Sequence, residues 1–387
     1  MGALQIRALK AADRAVVRTL YRALLARRYA HGAQGSPAGP PDPKSVRRIL
    51  VIRPGGIGDA VLFFPMLQAL RREYPEARLE VLAEQRNVGL FEANEVVDRA
   101  RAYDRGGGLE LWGALQERWD IVVDTEQYHM LSALVAYRTG APVRCGFDTQ
   151  GRGGLFTHRA PYSDQVYEVY SFLDLVKAIT GRPVAFDPEA PFFPVAAGPR
   201  EEARRRLSRR LPGFEQSGIV VISPGASMRQ RIWAPERYRA LARFLLDRGL
   251  QVAVIGSASD VPAARAVSDD LPRDRVADFA GTMSLATTAG LITAARLYVS
   301  SDTGPLHIAY GVGVPTVHLF GSGILEKWAP AGRRTRAVTG ALPCSPCTRY
   351  GYTPPCPYDV ECMKRITVDD VIARAREALD ASGTAPA

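Results

Sequence analysis

The sequence predicts an α/β protein built from two successive Rossmann-like halves, and three observations carry that expectation. Short apolar runs rich in β-branched residues (49–52, 79–82, 121–124, 219–222, 251–255, 297–300 and 316–320) alternate with stretches of helical periodicity. The alternation breaks at a Pro-rich segment, residues 187–199, which reads as the interdomain linker, and then restarts. Glycine- or serine-rich turns follow several of these runs, at the strand ends where parallel sheets collect ligands.

The first half opens on the strand 49–52, the turn Arg53-Pro54-Gly55-Gly56-Ile57-Gly58-Asp59 and a helix over 60–74 ending at Pro75. A strand at 79–82, a short helix at 109–117 and a strand at 121–124 follow. Residues 146–161 read as a loop over the sheet and 167–180 as a helix. After the break come a basic helix (201–210), the strand 219–222, a helix at 235–248 and the strand 251–255. A helix at 285–294 and the strand 297–300 lead to the strand 316–320, which closes the core of the second sheet. The domains expected are therefore 46–190 and 191–387, with strand ends from both halves lining a cleft. A basic extension, residues 1–45, precedes them.

Charge is spread unevenly. Residues 1–48 hold ten Lys/Arg against two acids, so they carry eight of the chain's net +10. The body is nearly neutral, which argues against nucleic acid as a partner. Within the extension Val16, Val17, Leu20, Tyr21, Leu24 and Leu25 recur at helical spacing beside Arg14, Arg18 and Arg22. Such a helix either packs its apolar face on protein or lies on an anionic membrane surface. No apolar run approaches the ~20 residues of a membrane span, and no signal peptide is recognisable. The expectation is a cytoplasmic protein, with peripheral attachment to the inner membrane as one role for the extension.

Two stretches carry the chemistry. In the first, three glycines let the backbone approach a ligand closely, and Asp59 at the helix start is either a helix cap or a general base. Gly55, Gly56 and Gly58 do not make the dinucleotide fingerprint, so a nicotinamide cofactor is disfavoured. The second, Ser300-Ser301-Asp302-Thr303-Gly304-Pro305-Leu306-His307, joins a strand end to a helix start and suits phosphate oxygens. Arg229, Arg231 and Trp233 follow the Ser223-Pro224-Gly225-Ala226-Ser227 turn. A cation there would offset charge on a departing diphosphate.

Taken together, residues 53–59, 223–233, Gly256, the run Ala280-Gly281-Thr282-Met283-Ser284-Leu285 and residues 300–320 resemble the heptosyltransferase-type glycosyltransferase family 9. The resemblance covers the chain from Arg48 onward. It implies a GT-B fold, with an acceptor bound by the first domain and a nucleotide sugar, ADP-heptose above all, by the second. It also implies inverting transfer without a catalytic metal, onto a lipopolysaccharide core or related surface glycan. Asp59 falls on the family's general base and Arg231 on its diphosphate-facing cation. Asp302 falls on the aspartate that holds sugar hydroxyls, and Thr303 and Gly304 on the diphosphate-binding turn. Further donor contacts are expected at Ser227, Arg229, Gly256, Met283, Pro305, Leu306 and His307, and Gly56 and Gly58 are expected to border the acceptor. Two stretches depart from the family's pattern: Arg231-Ile232-Trp233-Ala234 replaces K-x-W-P, and Phe320-Gly321-Ser322-Gly323-Ile324 replaces F-G-P-T-D. They leave open a different donor, a protein acceptor of the autotransporter kind, or a non-catalytic nucleotide-sugar-binding protein.

Cys344, Cys347, Cys356 and Cys362 crowd into one short segment. In a reducing compartment four such thiols suit a structural zinc or iron, or remain a reduced loop. Four thiolates leave no open coordination position for catalysis. Relatives that modify autotransporters bind iron through similar insertions. Cys145 stands apart as a packing residue.

Overall fold

The computed structural model describes residues 39–92, 94–349 and 352–382. The basic amphipathic helix expected near the N-terminus lies outside the described residues. The described chain divides into two compact units, one holding residues 39–56 and 63–186, the other residues 57–62 and 187–382.

The first unit is built on β1 (Arg48–Arg53), β2 (Arg78–Ala83), β3 (Arg99–Ala102), β4 (Ile121–Asp124), β5 (Val143–Phe147) and β6 (His158–Ala160). All pair in parallel, in the order β3-β2-β1-β4-β5-β6. Strands covered on both faces read as continuous apolar runs, as β1 and β4 do. One face carries Leu50, Ile52, Leu82 and Val122 against Ala114, Trp119, Met130 and Ala133. Packing about Phe63 includes Phe91 and Phe172, whose rings lie 5.5 and 6.0 Å away.

Within the second unit β7 (Ile219–Ser223), β8 (Gln251–Val254), β9 (Val276–Asp278), β10 (Ala295–Ser301), β11 (Thr316–Phe320) and β12 (Thr335–Thr339) are again all parallel. Their order, β12-β11-β10-β7-β8-β9, repeats the first sheet's topology. Each sheet thus has a switch point, at β1/β4 and at β7/β10, where doubly wound folds bind ligands. Val220, Ile222, Val252, Val254, Leu297, Val299, Val317 and Leu319 meet the helices Pro235–Asp247, Val261–Ser268 and Val368–Ser382 in one core.

Four expectations need correction. Residues 146–161 are not a loop: they contain the end of β5 and all of β6, hidden in the sequence by Arg144, Gly146 and the polar run His158–Ala160. Gly146 is required there, because a Cβ would stand 2.3 Å from the Phe156 ring. The helix expected over 60–74 is two, Ile57–Leu62 and Phe64–Glu73. Pro65 lacks the N–H that would bond back to Val61, so the helix breaks at Phe63. The strand at 316–320 does not close the core of the second sheet, since β12 pairs beyond it. Finally, the Pro-rich segment after Asp187 is pinned to the second unit. Phe192 and Phe193 donate their N–H groups to the Gly311 carbonyl at 2.8 and 2.9 Å, and Tyr310 donates its hydroxyl to Pro188.

Candidate active site

The glycine turn after β1 is fixed from below. Arg53 is buried and donates through Nη1 to the Thr125 carbonyl at 2.9 Å, with its guanidinium 5.5 Å from the Phe172 ring centre. Gly55 turns with φ +102°, which a side chain would oppose, and its N–H donates to Glu84. Asn87 donates to the Gly55 carbonyl at 3.2 Å. The chain then enters the helix Ile57–Leu62, with half-buried Asp59 in its first turn.

This short helix belongs with the second unit because it packs on the helix Gly304–Gly311. Two glycines make the approach possible. A Cβ on Gly58 would stand 2.6 Å from Cδ2 of the His307 ring, and one on Gly304 would stand 2.6 Å from Cβ of Ile57. The first turn carrying Asp59 therefore sits beside the first turn that follows Asp302 and Thr303. Of the residues expected from sequence, Gly58, Asp59, Arg231, Asp302, Thr303, Gly304, Pro305 and His307 come together here; Gly56 ends the turn before them.

Asp302 is buried and bound twice by Arg231, whose Nη1 donates to its carbonyl at 3.0 Å and lies 3.1 Å from Oδ2. Arginine at this position can hold the aspartate and keep a further N–H edge for a ligand, which a lysine's point charge would not do in the same geometry. Around it several buried polar atoms have no partner: His307 Nδ1, His318 Nε2, Ser322 Oγ and Arg231 Nε. Burial on this scale without partners marks a site built for a ligand's hydrogen bonds. Burial also pushes the His307 pKa down to about 4, with Asp302 opposing and Arg231 adding to the fall. His318 is pushed down to about 3 by burial and by His307. Both rings are neutral near pH 7, so each offers one donor and one acceptor nitrogen.

The remaining expected donor residues distribute around the same strand ends. Gly256 and Gly225 both lie against Asp260, where a Cβ would stand 2.7 Å and 2.2 Å from its side chain. The Gly281 N–H donates to the Gly256 carbonyl at 2.9 Å, and Met283 is half-buried in the turn before the helix Leu285–Ile292. Leu306 is wholly buried, so it contributes main chain rather than side chain. Ser227 is exposed. Arg229 is exposed too, and pairs with Asp359 of the cysteine-rich segment.

Sequence reasoning missed His318 and Ser322, and it missed Asp260. A histidine inside the apolar run of β11 was the one available signal. A polar cluster at the first unit's switch point also escaped notice. Arg152 and Asp124 form a fully buried ion pair, and Arg152 donates to the Glu126 carbonyl. Glu126 Oε1 accepts the N–H groups of Gln127, Tyr128 and His129 at 3.0, 2.9 and 3.2 Å. Burial alone would raise its pKa, but His129, Arg53 and Arg152 outweigh this and hold the carboxyl below its usual value.

The four clustered cysteines lie over the carboxyl ends of β11 and β12. Burial raises the Cys347 and Cys362 thiols, and the neighbouring cysteines add to the rise. No group of three or more His, Cys, Asp or Glu side chains is arranged to hold a metal among the described residues. The placement is thus one of neighbouring thiols, not of a formed coordination shell. Cys145, by contrast, is buried in β5 and donates to the Leu175 carbonyl, as a packing residue should.

A family model described as Glycosyltransferase family 9 (heptosyltransferase) matches residues 109–356. The chain belongs to glycosyltransferase family 9. It is a glycosyltransferase, and the Asp302–His307 turn lies inside the matched region, whereas the Asp59 turn precedes it. Lipooligosaccharide heptosyltransferase 2 of Haemophilus influenzae is 25% identical over 287 residues, covering 70% of this chain and 83% of that protein. Lipopolysaccharide heptosyltransferase 2 of Escherichia coli is 26% identical over 306 residues, covering 75% and 87%. Among solved structures, E. coli ADP-heptose LPS heptosyltransferase II superposes with a TM-score of 0.70 at 23% identity, covering 87% of this chain and 100% of that one. That likeness shows the fold, two Rossmann-like units of the GT-B class.

Proposed function

We propose that this family 9 enzyme transfers a heptose, with inversion, from ADP-heptose to a lipopolysaccharide core acceptor. The carrying observation is the packing of Gly58 on His307, which seats the Asp59 turn beside Asp302 and Thr303. Asp59 takes the proton from an acceptor hydroxyl as that oxygen attacks the anomeric carbon. The bond to the diphosphate breaks on the opposite face of the sugar. Arg231 and the positive end of the helix Gly304–Gly311 stabilise the departing charge, so no metal is needed for the step. Asp302 accepts hydrogen bonds from sugar hydroxyls. The lipopolysaccharide and lipooligosaccharide heptosyltransferases among the relatives support both the donor and the acceptor.

The cysteine segment is proposed to hold a structural zinc or iron, gathered by side-chain rotation of the four thiols; residue type and proximity support this, and the present placement of the thiols does not form the site. Metal analysis of purified protein, with Cys347→Ser as control, tests it, and wild-type protein free of both metals would refute it. Peripheral attachment to the cytoplasmic face of the inner membrane is proposed through the basic N-terminal segment. No helix among the described residues is long and apolar enough to cross a membrane.

The test of the donor is a screen of ADP-, UDP- and GDP-sugars by thermal shift and by transfer to core acceptors. ADP-heptose is expected to give the largest shift and the fastest turnover. Preference for a UDP- or GDP-sugar would overturn the donor assignment.

A further inference from the structure

The turn Phe320-Gly321-Ser322-Gly323 leaves β11 beside Asp302, and the sheet alone does not hold it. The N–H groups of Cys347 and Thr348 both donate to the Ser322 carbonyl, at 3.2 and 3.0 Å. Ser345 donates its hydroxyl to the Gly321 carbonyl. Beneath the turn, a Cβ on Gly321 would stand 2.9 Å from Cys362 Sγ and 2.7 Å from Met363 Sδ, both residues of the second unit's core. On the far side, a Cβ on Gly323 would stand 2.5 Å from Asp302 Oδ2. Between these glycines the Ser322 hydroxyl is buried and has no partner.

Contacts thus run without a gap from the cysteine-rich segment, through the turn, to the Asp302 carboxylate. We propose that this segment is a positioning element for donor-sugar recognition: it braces the turn so that Asp302 and the Ser322 hydroxyl stand ready for the sugar's hydroxyls. The inference rests on Asp302 being the donor-sugar residue. Here a serine between two glycines would leave the turn loose, and three hydrogen bonds to its carbonyls, two from the Cys347 and Thr348 N–H groups and one from the Ser345 hydroxyl, restore its rigidity. Rigidity matters because ordering a loose turn on binding would weaken affinity for the sugar. The diphosphate is met by other elements, Arg231 and the helix Gly304–Gly311, so the brace acts on the sugar and not on the nucleotide.

Two variants test this, Ser345→Ala and Gly321→Ala, with Ser345→Thr keeping the hydroxyl. Binding of ADP and of ADP-heptose is measured by calorimetry, with donor KM and kcat alongside. Ser345→Ala is expected to bind ADP as wild type does and ADP-heptose about three- to tenfold more weakly, the effect of one lost hydrogen bond. Donor KM should rise in step while kcat is nearly kept, and Ser345→Thr should restore both. Gly321→Ala should shift ADP-heptose binding in the same direction by more. Equal losses for ADP and ADP-heptose, or unchanged ADP-heptose binding in both variants, would overturn the brace alone. Wild-type protein that bound no nucleotide sugar would overturn the donor-sugar reading, and the brace with it.

Discussion

Asp59 is placed by its neighbour: only a residue without a side chain fits between the helix backbone and the His307 ring. Replacing Asp59 with Asn keeps the shape and removes the proposed base. Steady-state transfer assays should show kcat lowered by about 10²–10⁴-fold with donor KM nearly unchanged; full activity in Asp59→Asn would remove it from the mechanism. The two buried histidines make a second statement at this scale. Their folded pKa values, about 4 and about 3, lie below the unfolded value of 6.5. Between those limits the unfolded chain binds more protons than the folded one, so stability is full above about pH 6.5 and falls as the solution is acidified toward pH 4. Denaturant melts across that range should show the slope, and His318→Phe should flatten it. A slope unchanged in His318→Phe would mean that this ring does not carry the effect. Arg152 and Asp124, with no exposed side-chain surface, form an ion pair that is sensitive to losing either partner. Arg152→Met should destabilise the first unit by about 3–5 kcal/mol, read by urea unfolding.

Strands whose two faces are both buried announced themselves as apolar runs, and their boundaries moved by a residue or two at most. Elements set by distant partners did not. In β3 the sequence Arg99–Ala102 alternates arginine with alanine, and Arg101 makes sense only once it is seen donating to buried Glu80 of β2. β6 is three residues long and its burial comes from β5 and the helix Glu168–Thr180, not from an apolar run of its own. The candidate site divides in the same way. Asp59, Arg231 and Asp302–His307 were legible because each sits in a turn with its own local pattern. His318, Ser322 and Asp260 were not, since only the fold brings them to those turns. The pairing of the helices Ile57–Leu62 and Gly304–Gly311 is the element on which the site depends, and it can be probed apart from the chemistry. Gly304→Ala sets a Cβ against Ile57 and must push the two helix starts apart. Transfer should fall by about 10²-fold through misplacement of the base, with ADP binding retained. Loss of ADP binding in the same proportion would show that the variant damages the donor turn itself.

Across the whole chain, most of the net positive charge lies in sequence before the two sheets. Eight of the ten net positive charges lie in residues 1–48, while the folded units from Arg48 onward hold both sheets and every residue of the candidate site. A lipid-linked acceptor presents an anionic surface, and clustered Lys/Arg are attracted to it by roughly 1 kcal/mol per residue near the bilayer. Deleting residues 1–38 removes seven of those Lys/Arg and one acid. The shortened protein should turn over a soluble acceptor fragment as fast as the full chain does. Its binding to vesicles of anionic phospholipid, measured by sedimentation, should fall by at least tenfold, and the full chain's binding should weaken as salt is raised. Neutral vesicles should bind neither form. If vesicle binding survives the deletion, attachment belongs to the folded units; if soluble turnover collapses instead, the segment packs on protein and supports the fold.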